Sequence, residues 1–120
     1  FPVLHLAAAN GYTNIVKLLL DNNADINAVD YTGQTVLHTA ASKGQLDIVK
    51  MLIARKANVN ATDKYGRTAL HMTAMRGLDA IVKILIENKA DINAVDKNGK
   101  TALQFASARN NESVIKILTR

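Results

Sequence analysis

The sequence predicts an all-α solenoid of stacked helix-turn-helix units joined by hairpin-like loops. The first observation is periodic. Thr35-Val36-Leu37-His38 returns as Thr68-Ala69-Leu70-His71 and as Thr101-Ala102-Leu103-Gln104, 33 residues later each time; Phe1-Pro2-Val3-Leu4-His5 sits 33 residues before the first. The second is that every period carries a small-residue stretch followed by a Leu/Ile/Val-rich stretch, both with helical spacing. The third is that turn residues recur in phase between them. A period of this length marks units that bury their apolar faces only by stacking on neighbours. We expect one array over residues 1–120, with a partial unit at 1–29, full units at 30–62 and 63–95, and a partial unit at 96–120.

Each unit is read in order. Asp30, Asp63 and Asp96 open three of them, and Gly33, Gly66 and Gly99 follow three residues later. Asp bonds local amides and Gly accepts positive φ, so Asp-x-x-Gly predicts a hairpin-like loop. Thr35, Thr68 and Thr101 precede apolar stretches and are expected to cap a first helix. That helix runs through Leu37, Ala40 and Ala41, or Leu70, Thr73 and Ala74, and ends at Gly44 or Gly77, as at Gly11 in the first unit. A second helix follows, Ile48 to Ile53, with counterparts at Ile15 to Leu20, Ile81 to Ile86 and Val114 to Thr119. Ala24-Asp25-Ile26-Asn27-Ala28 and its copies at 57–61 and 90–94 then lead back to the next Asp.

In period, in Thr-x-Leu-His, in the turn glycines and in Ala-Asp-Ile-Asn-Ala, the whole chain resembles the ankyrin repeat family. The departures are local. The family's Pro after Thr is kept only as Pro2, being Val36, Ala69 and Ala102 elsewhere. In the last unit Gln104 stands for His and Asn110 for Gly. Asn tolerates the left-handed backbone, so that turn is expected to survive. Leu78-Asp79-Ala80 shifts polarity relative to Gln45-Leu46-Asp47, which suggests a displaced start for the third unit's second helix. Neither end reads as a finished polar cap, which points to a fragment of a longer array or of a larger protein; otherwise a monomeric array is expected.

Composition narrows the function classes. Without Trp, and with only five aromatic residues, the core must be aliphatic. The absence of Cys excludes a disulfide framework and a Cys-based metal site, and fits an intracellular protein, cytoplasmic or nuclear. No apolar run approaches the roughly 18 residues a membrane span needs. Net charge is +5, from 15 basic and 10 acidic residues.

No residue set carries chemistry. His5, His38 and His71 stand in strict register, so stacking separates them by about one helix-packing distance, 8–10 Å. That is a ladder, not a metal cluster, and each imidazole is expected to tie its loop to neighbouring backbone or to the Thr hydroxyl. The same spacing separates Asp30, Asp63 and Asp96. The sequence has no phosphate loop and no nucleophile elbow. We expect no enzyme activity, no cofactor and no metal. The family resemblance implies that Asn27, Asn60 and Asn93 can be substrates of asparaginyl hydroxylation in animal cells; read from the residues alone they are loop hydrogen-bonding groups.

The resemblance further implies that partners meet the loop tips and the exposed side of the first helix. In this register those positions are Tyr31, Thr32, Gln34, Ser42 and Lys43; then Lys64, Tyr65, Arg67, Met75 and Arg76; then Lys97, Asn98, Lys100, Ala108 and Arg109; with Ala9 and Asn10 from the first unit. Seven of the 17 are basic and none is acidic, where the chain's composition would place about two basic residues. Such a field favours an anionic partner. Tyr31, Tyr65, Arg67 and Arg76 are residue types common at hot spots, and Met75 adds an adaptable contact. Arg67 and Arg76 are expected to be exposed. Lys17, Lys50, Lys83 and Lys116 form a second ladder, expected on the solvated outer face.

The leading expectation is a protein-protein interaction module, an adaptor or scaffold, that binds an acidic protein or peptide through a basic concave face. Nucleic-acid or anionic-lipid binding by the same face is the alternative, together with a structural spacer in a larger protein. Nucleic acid is the less expected partner, because only Tyr31 and Tyr65 could stack on bases.

Overall fold

The computed structural model describes residues 2–119. Among them eight helices follow one another in pairs: α1 (Val3–Ala9) and α2 (Thr13–Asp21), α3 (Val36–Ser42) and α4 (Leu46–Ala54), α5 (Ala69–Arg76) and α6 (Asp79–Glu87), α7 (Ala102–Ala108) and α8 (Glu112–Leu118). The first helices pack in sequence, α1 on α3 on α5 on α7, and the second helices do the same beside them. The result is a two-layered stack of 40 × 25 × 22 Å. None of these helices is long and apolar enough to cross a membrane.

Past α1, which follows Pro2 without a side-chain cap, the first helices start where Thr meets the chain in extended conformation. Thr35 Oγ1 accepts from the His38 amide at 3.3 Å, while His38 Nδ1 accepts from the Thr35 amide at 3.1 Å. This reciprocal box satisfies two amides that a helix start leaves bare. Thr68 and His71 repeat it, and Thr101 and Gln104 repeat it with an amide oxygen in place of the ring nitrogen. The inter-helix turn needs a left-handed residue, supplied by Gly11, Gly44 and Gly77 at φ of +70 to +74°. Asn110 adopts the same conformation at +56°, so the fourth turn survives as expected.

One expectation is corrected. The polarity shift at Leu78-Asp79-Ala80 does not displace the second helix: α6 starts at Asp79, in register with Leu46 of α4. None of the second helices uses a side-chain cap, so the residue before the helix is free to vary. Leu78 uses that freedom to pack toward Gly44.

The core is aliphatic. Leu37, Ala40, Ala41, Leu70 and Ala74 of the first helices meet Val16, Ile48, Val49, Leu52, Val82 and Leu85 of the second, all essentially inaccessible. The alanines let adjacent first helices approach closely. Thr73 stands where its neighbours carry Ala, fully buried, and returns its hydroxyl to the Ala69 and Leu70 carbonyls. The two outward faces differ. Val3, Leu6, Ile15 and Leu18 are exposed on the first pair, whereas the fourth pair exposes Gln104, Ser107 and Thr119 where inner units carry His, Ala and Ile.

Candidate functional site

The hairpin-like loops project from the stack, and each is built on its Asp. Asp63 Oδ1 accepts from the Tyr65 and Arg67 amides, each at 2.9 Å; Asp96 does the same with Asn98 and Lys100. Asp30 Oδ1 takes the Thr32 amide at 2.8 Å, the Gln34 amide at 3.0 Å and the Thr32 hydroxyl at 2.7 Å. Burial alone would raise the Asp30 pKa, but the Thr32 hydroxyl and the two amides hold it below the usual carboxylate range. Asp63 and Asp96 are buried and Asp30 is half-buried, each turned into its own loop. The loops are stitched together as well: Lys64 N donates to the Thr32 carbonyl and Lys97 N to the Tyr65 carbonyl, both at 3.0 Å. A β-carbon on Gly33 would lie 2.9 Å from Lys64 N, which is why glycine is needed there beyond its φ of +79°.

The histidines join each helix to the following loop. His5, His38 and His71 donate through Nε2 to the carbonyls of Gln34, Arg67 and Lys100 at 2.8–2.9 Å. Because His38 Nδ1 accepts from the Thr35 amide, the neutral ring with its proton on Nε2 fits this site. Burial lowers the His38 pKa, outweighing the Arg67 carbonyl and the Asp63 charge, which raise it. The ladder is thus structural, as the register implied. Among the described residues no group of three His, Asp or Glu could hold a metal ion.

Of the expected partner-facing residues, Tyr31, Lys43, Lys64, Tyr65, Arg76, Lys97, Lys100 and Arg109 are exposed, and Tyr31 is 83% accessible. Gln34 and Met75 are half-buried. Arg67 is the correction. It was expected to be exposed, but its Nε and Nη2 both lie 3.1 Å from Asp63 Oδ2, whose side chain is wholly buried. Its guanidinium also sits 4.9 Å from the Tyr65 ring centre, with Lys64 Nζ at 5.3 Å. The i,i+4 spacing from Asp63 folds Arg67 back onto the loop. It props Tyr65 rather than standing free in solvent.

A second group gathers where the first helices end. Lys43, Arg76 and Arg109 occupy one register position at the ends of α3, α5 and α7. Arg76 and Arg109 border a single depression with Met75 and Asn111. Asn111 was missed from sequence. Its Nδ2 donates to the Ala74 and Met75 carbonyls at 2.8 and 3.1 Å, capping the end of α5 from the next unit. Gln45 reaches the Ala9 carbonyl in the same way at 3.1 Å. The available signal was an amide residue at the variable position before the second helix.

The remaining candidates lie apart. Lys17, Lys50, Lys83 and Lys116 are exposed on the second helices, as expected. Asn60 acts as a loop bridge, donating to the Lys89 carbonyl and accepting from the Asp91 amide. Asn27 and Asn93 are exposed.

Comparison with known proteins matches the family model described as ankyrin repeats (3 copies) over residues 2–63 and 48–120. A stretch of 32 residues, 27% of the chain, is 59% identical to the E3 ubiquitin-protein ligase XBAT33 of Arabidopsis thaliana and covers 6% of that protein. A 32-residue stretch is also 62% identical to an ankyrin repeat protein of Rickettsia bellii (strain RML369-C), covering 13% of it. The chain therefore spans only a small part of the length of these curated relatives.

Proposed function

Because the chain belongs to the ankyrin repeat family, whose repeats are in general protein-protein interaction modules and typically non-enzymatic, we propose that it binds an acidic protein or peptide through its basic concave face. One observation carries the reading. Lys43, Lys64, Arg76, Lys97, Lys100 and Arg109 are exposed on the loop tips and first-helix ends, and none forms an ion pair among the described residues. The carboxylates beside the loop lysines, Asp63 and Asp96, are committed to loop amides, and Asp47, Asp79 and Glu112, which follow Lys43, Arg76 and Arg109 by three or four residues, make no ion pair with them among the described residues. Cations without a direct ion pair stay available to an anionic partner, which speeds its encounter and disfavours a basic one. Tyr31 and Tyr65 supply aromatic anchors at the loop tips.

We take residues 1–120 as one array with unit boundaries before Asp30, Asp63 and Asp96. The packing of each helix pair on the next supports this. The ligase activity named for the Arabidopsis relative is not carried over, since the match covers 6% of that protein.

Affinity capture from nuclease-treated lysate tests the reading, comparing the native chain with an Arg76→Glu/Lys97→Glu variant and identifying bound proteins by mass spectrometry. An acidic protein held by the native chain and lost by the variant is expected. Equal capture by both would overturn the assignment of this face.

A further inference from the structure

We propose that the depression bordered by Arg76 and Arg109 receives a phosphoryl group carried on a serine or threonine of the bound peptide. This deepens the reading above and rests on it.

The four described arginines divide cleanly. Arg55 is held by Asp21 at 2.7 Å and Arg67 by Asp63 at 3.1 Å. Arg76 and Arg109 are exposed, with no ion pair or side-chain hydrogen bond among the described residues, and these two share one depression. They stand at the same register position on α5 and α7, which pack directly on each other. Neighbouring helix axes lie about 8–10 Å apart, within the joint reach of two long side chains.

The surroundings suit an oxyanion. Among the described residues no acidic side chain lines the depression. A helix C-terminus normally repels anions through its bare carbonyls. Here the Ala74 and Met75 carbonyls already accept from Asn111 Nδ2, so the end of α5 is covered. The junction between α3 and α5 lacks these features: Leu78 replaces the amide, and Lys43 is a single flexible charge. Lys97 and Lys100, exposed on the loop before α7, widen the positive field.

Charge count selects the ligand. Two guanidiniums match a phosphoryl group of about −1.5 to −2 at neutral pH better than one carboxylate of a peptide. Their planar forks offer paired donors to its oxygens, which lysines do not.

The test uses fluorescence anisotropy with three degenerate peptide libraries that carry phosphoserine, glutamate or serine at a fixed central position. The phosphoserine library should bind about tenfold or more tighter than the serine library, the scale of one charge-assisted hydrogen bond. Arg76→Gln and Arg109→Gln should each abolish that preference with unchanged circular dichroism, and Arg55→Gln should leave it intact. Equal binding of the glutamate and phosphoserine libraries would overturn the phosphoryl assignment and leave the acidic-partner reading standing. No preference for either acidic library over serine would overturn both. Tighter binding of oligothymidylate than of the phosphoserine library would also overturn the proposal and move the surface to nucleic acid.

Discussion

Replacing His71 with glutamine separates the local from the inter-unit role of the histidine ladder, and the fourth unit supplies the control. Gln104 already makes the capping box there, its Oε1 accepting from the Thr101 amide at 2.8 Å. His71→Gln should therefore keep the start of α5. It loses the Nε2 bond to the Lys100 carbonyl, 2.9 Å, and the ring edge against Phe105, with centroids 5.3 Å apart. The carbonyl is only part-buried and can turn to water, so that bond contributes about 1 kcal/mol. The edge-to-face contact contributes about 0.5–1.5 kcal/mol. Together they place the loss at about 2 kcal/mol. Urea unfolding followed by far-UV circular dichroism measures it, and the slope reports whether the array still melts as one unit. The reciprocal Gln104→His should change stability by under about 0.5 kcal/mol, because Gln104 bonds only within its own box. If His71→Gln is neutral, or if Gln104→His gains what His71→Gln loses, the imidazole acts in the cap and the inter-unit argument fails.

Three further outcomes are expected. Burial depresses the His38 pKa below its ordinary 6.5, so as pH falls the unfolded chain takes up the proton first; the His38 contribution is full above about 6.5 and lost below it. Urea midpoints should accordingly fall on acidification, less so in His38→Gln, and an identical slope in both proteins would exclude His38 as a source. Gly99→Ala, with nothing within 4 Å of the added carbon, should lose about 1 kcal/mol from its left-handed φ alone, whereas Gly33→Ala should lose about 2–4 kcal/mol by also striking Lys64 N; thermal melts showing equal losses would refute the close approach between loops. Arg67→Glu should destabilise by about 2 kcal/mol, because it removes the partner of buried Asp63 and sets a second carboxylate beside it, while Arg76→Glu stays within about 0.5 kcal/mol. Equal stability of these two variants by urea unfolding would return Arg67 to the free surface.

How much was legible follows from the range of each interaction. The Thr35–His38 box lies within one helical turn, so the sequence reveals it directly. Gly33 was legible as a left-handed residue, but its contact with Lys64 crosses 31 positions and has no local mark. Asn110 was readable because a single backbone conformation is at stake. Arg67 was misread because the residues at its register position in the other units, Gln34 and Lys100, make no ion pair. The signal lay in Asp63 four residues earlier, which only Arg among the three can grip with two nitrogens. Asn111 escaped for the opposite reason. Its partners, Ala74 and Met75, belong to the preceding unit, and nothing nearby in sequence names them.

These misreadings bear on recognition. A repeat array separates positions that hold the stack, here Asp, Gly, Thr and His, from variable positions free to meet a partner. Arg67 and Asn111 occupy variable positions yet make structural bonds, so the presumed binding face has two kinds of ground. Around Asp63, Tyr65 and Arg67 the surface is pre-ordered, and a partner docking on Tyr65 has little side-chain freedom left to remove. At Arg76 and Arg109 the end of α5 is tied down by Asn111, while the two guanidiniums are exposed and form no ion pair among the described residues. On the proposed binding mode, shape selection would fall to the loop between Asp63 and Arg67, and charge selection to the ends of α5 and α7. A Tyr65→Ala variant should weaken all peptides alike in anisotropy titrations, whereas Arg109→Gln should weaken only anionic ones. Loss of the charge preference in Tyr65→Ala would show that the two regions act as one.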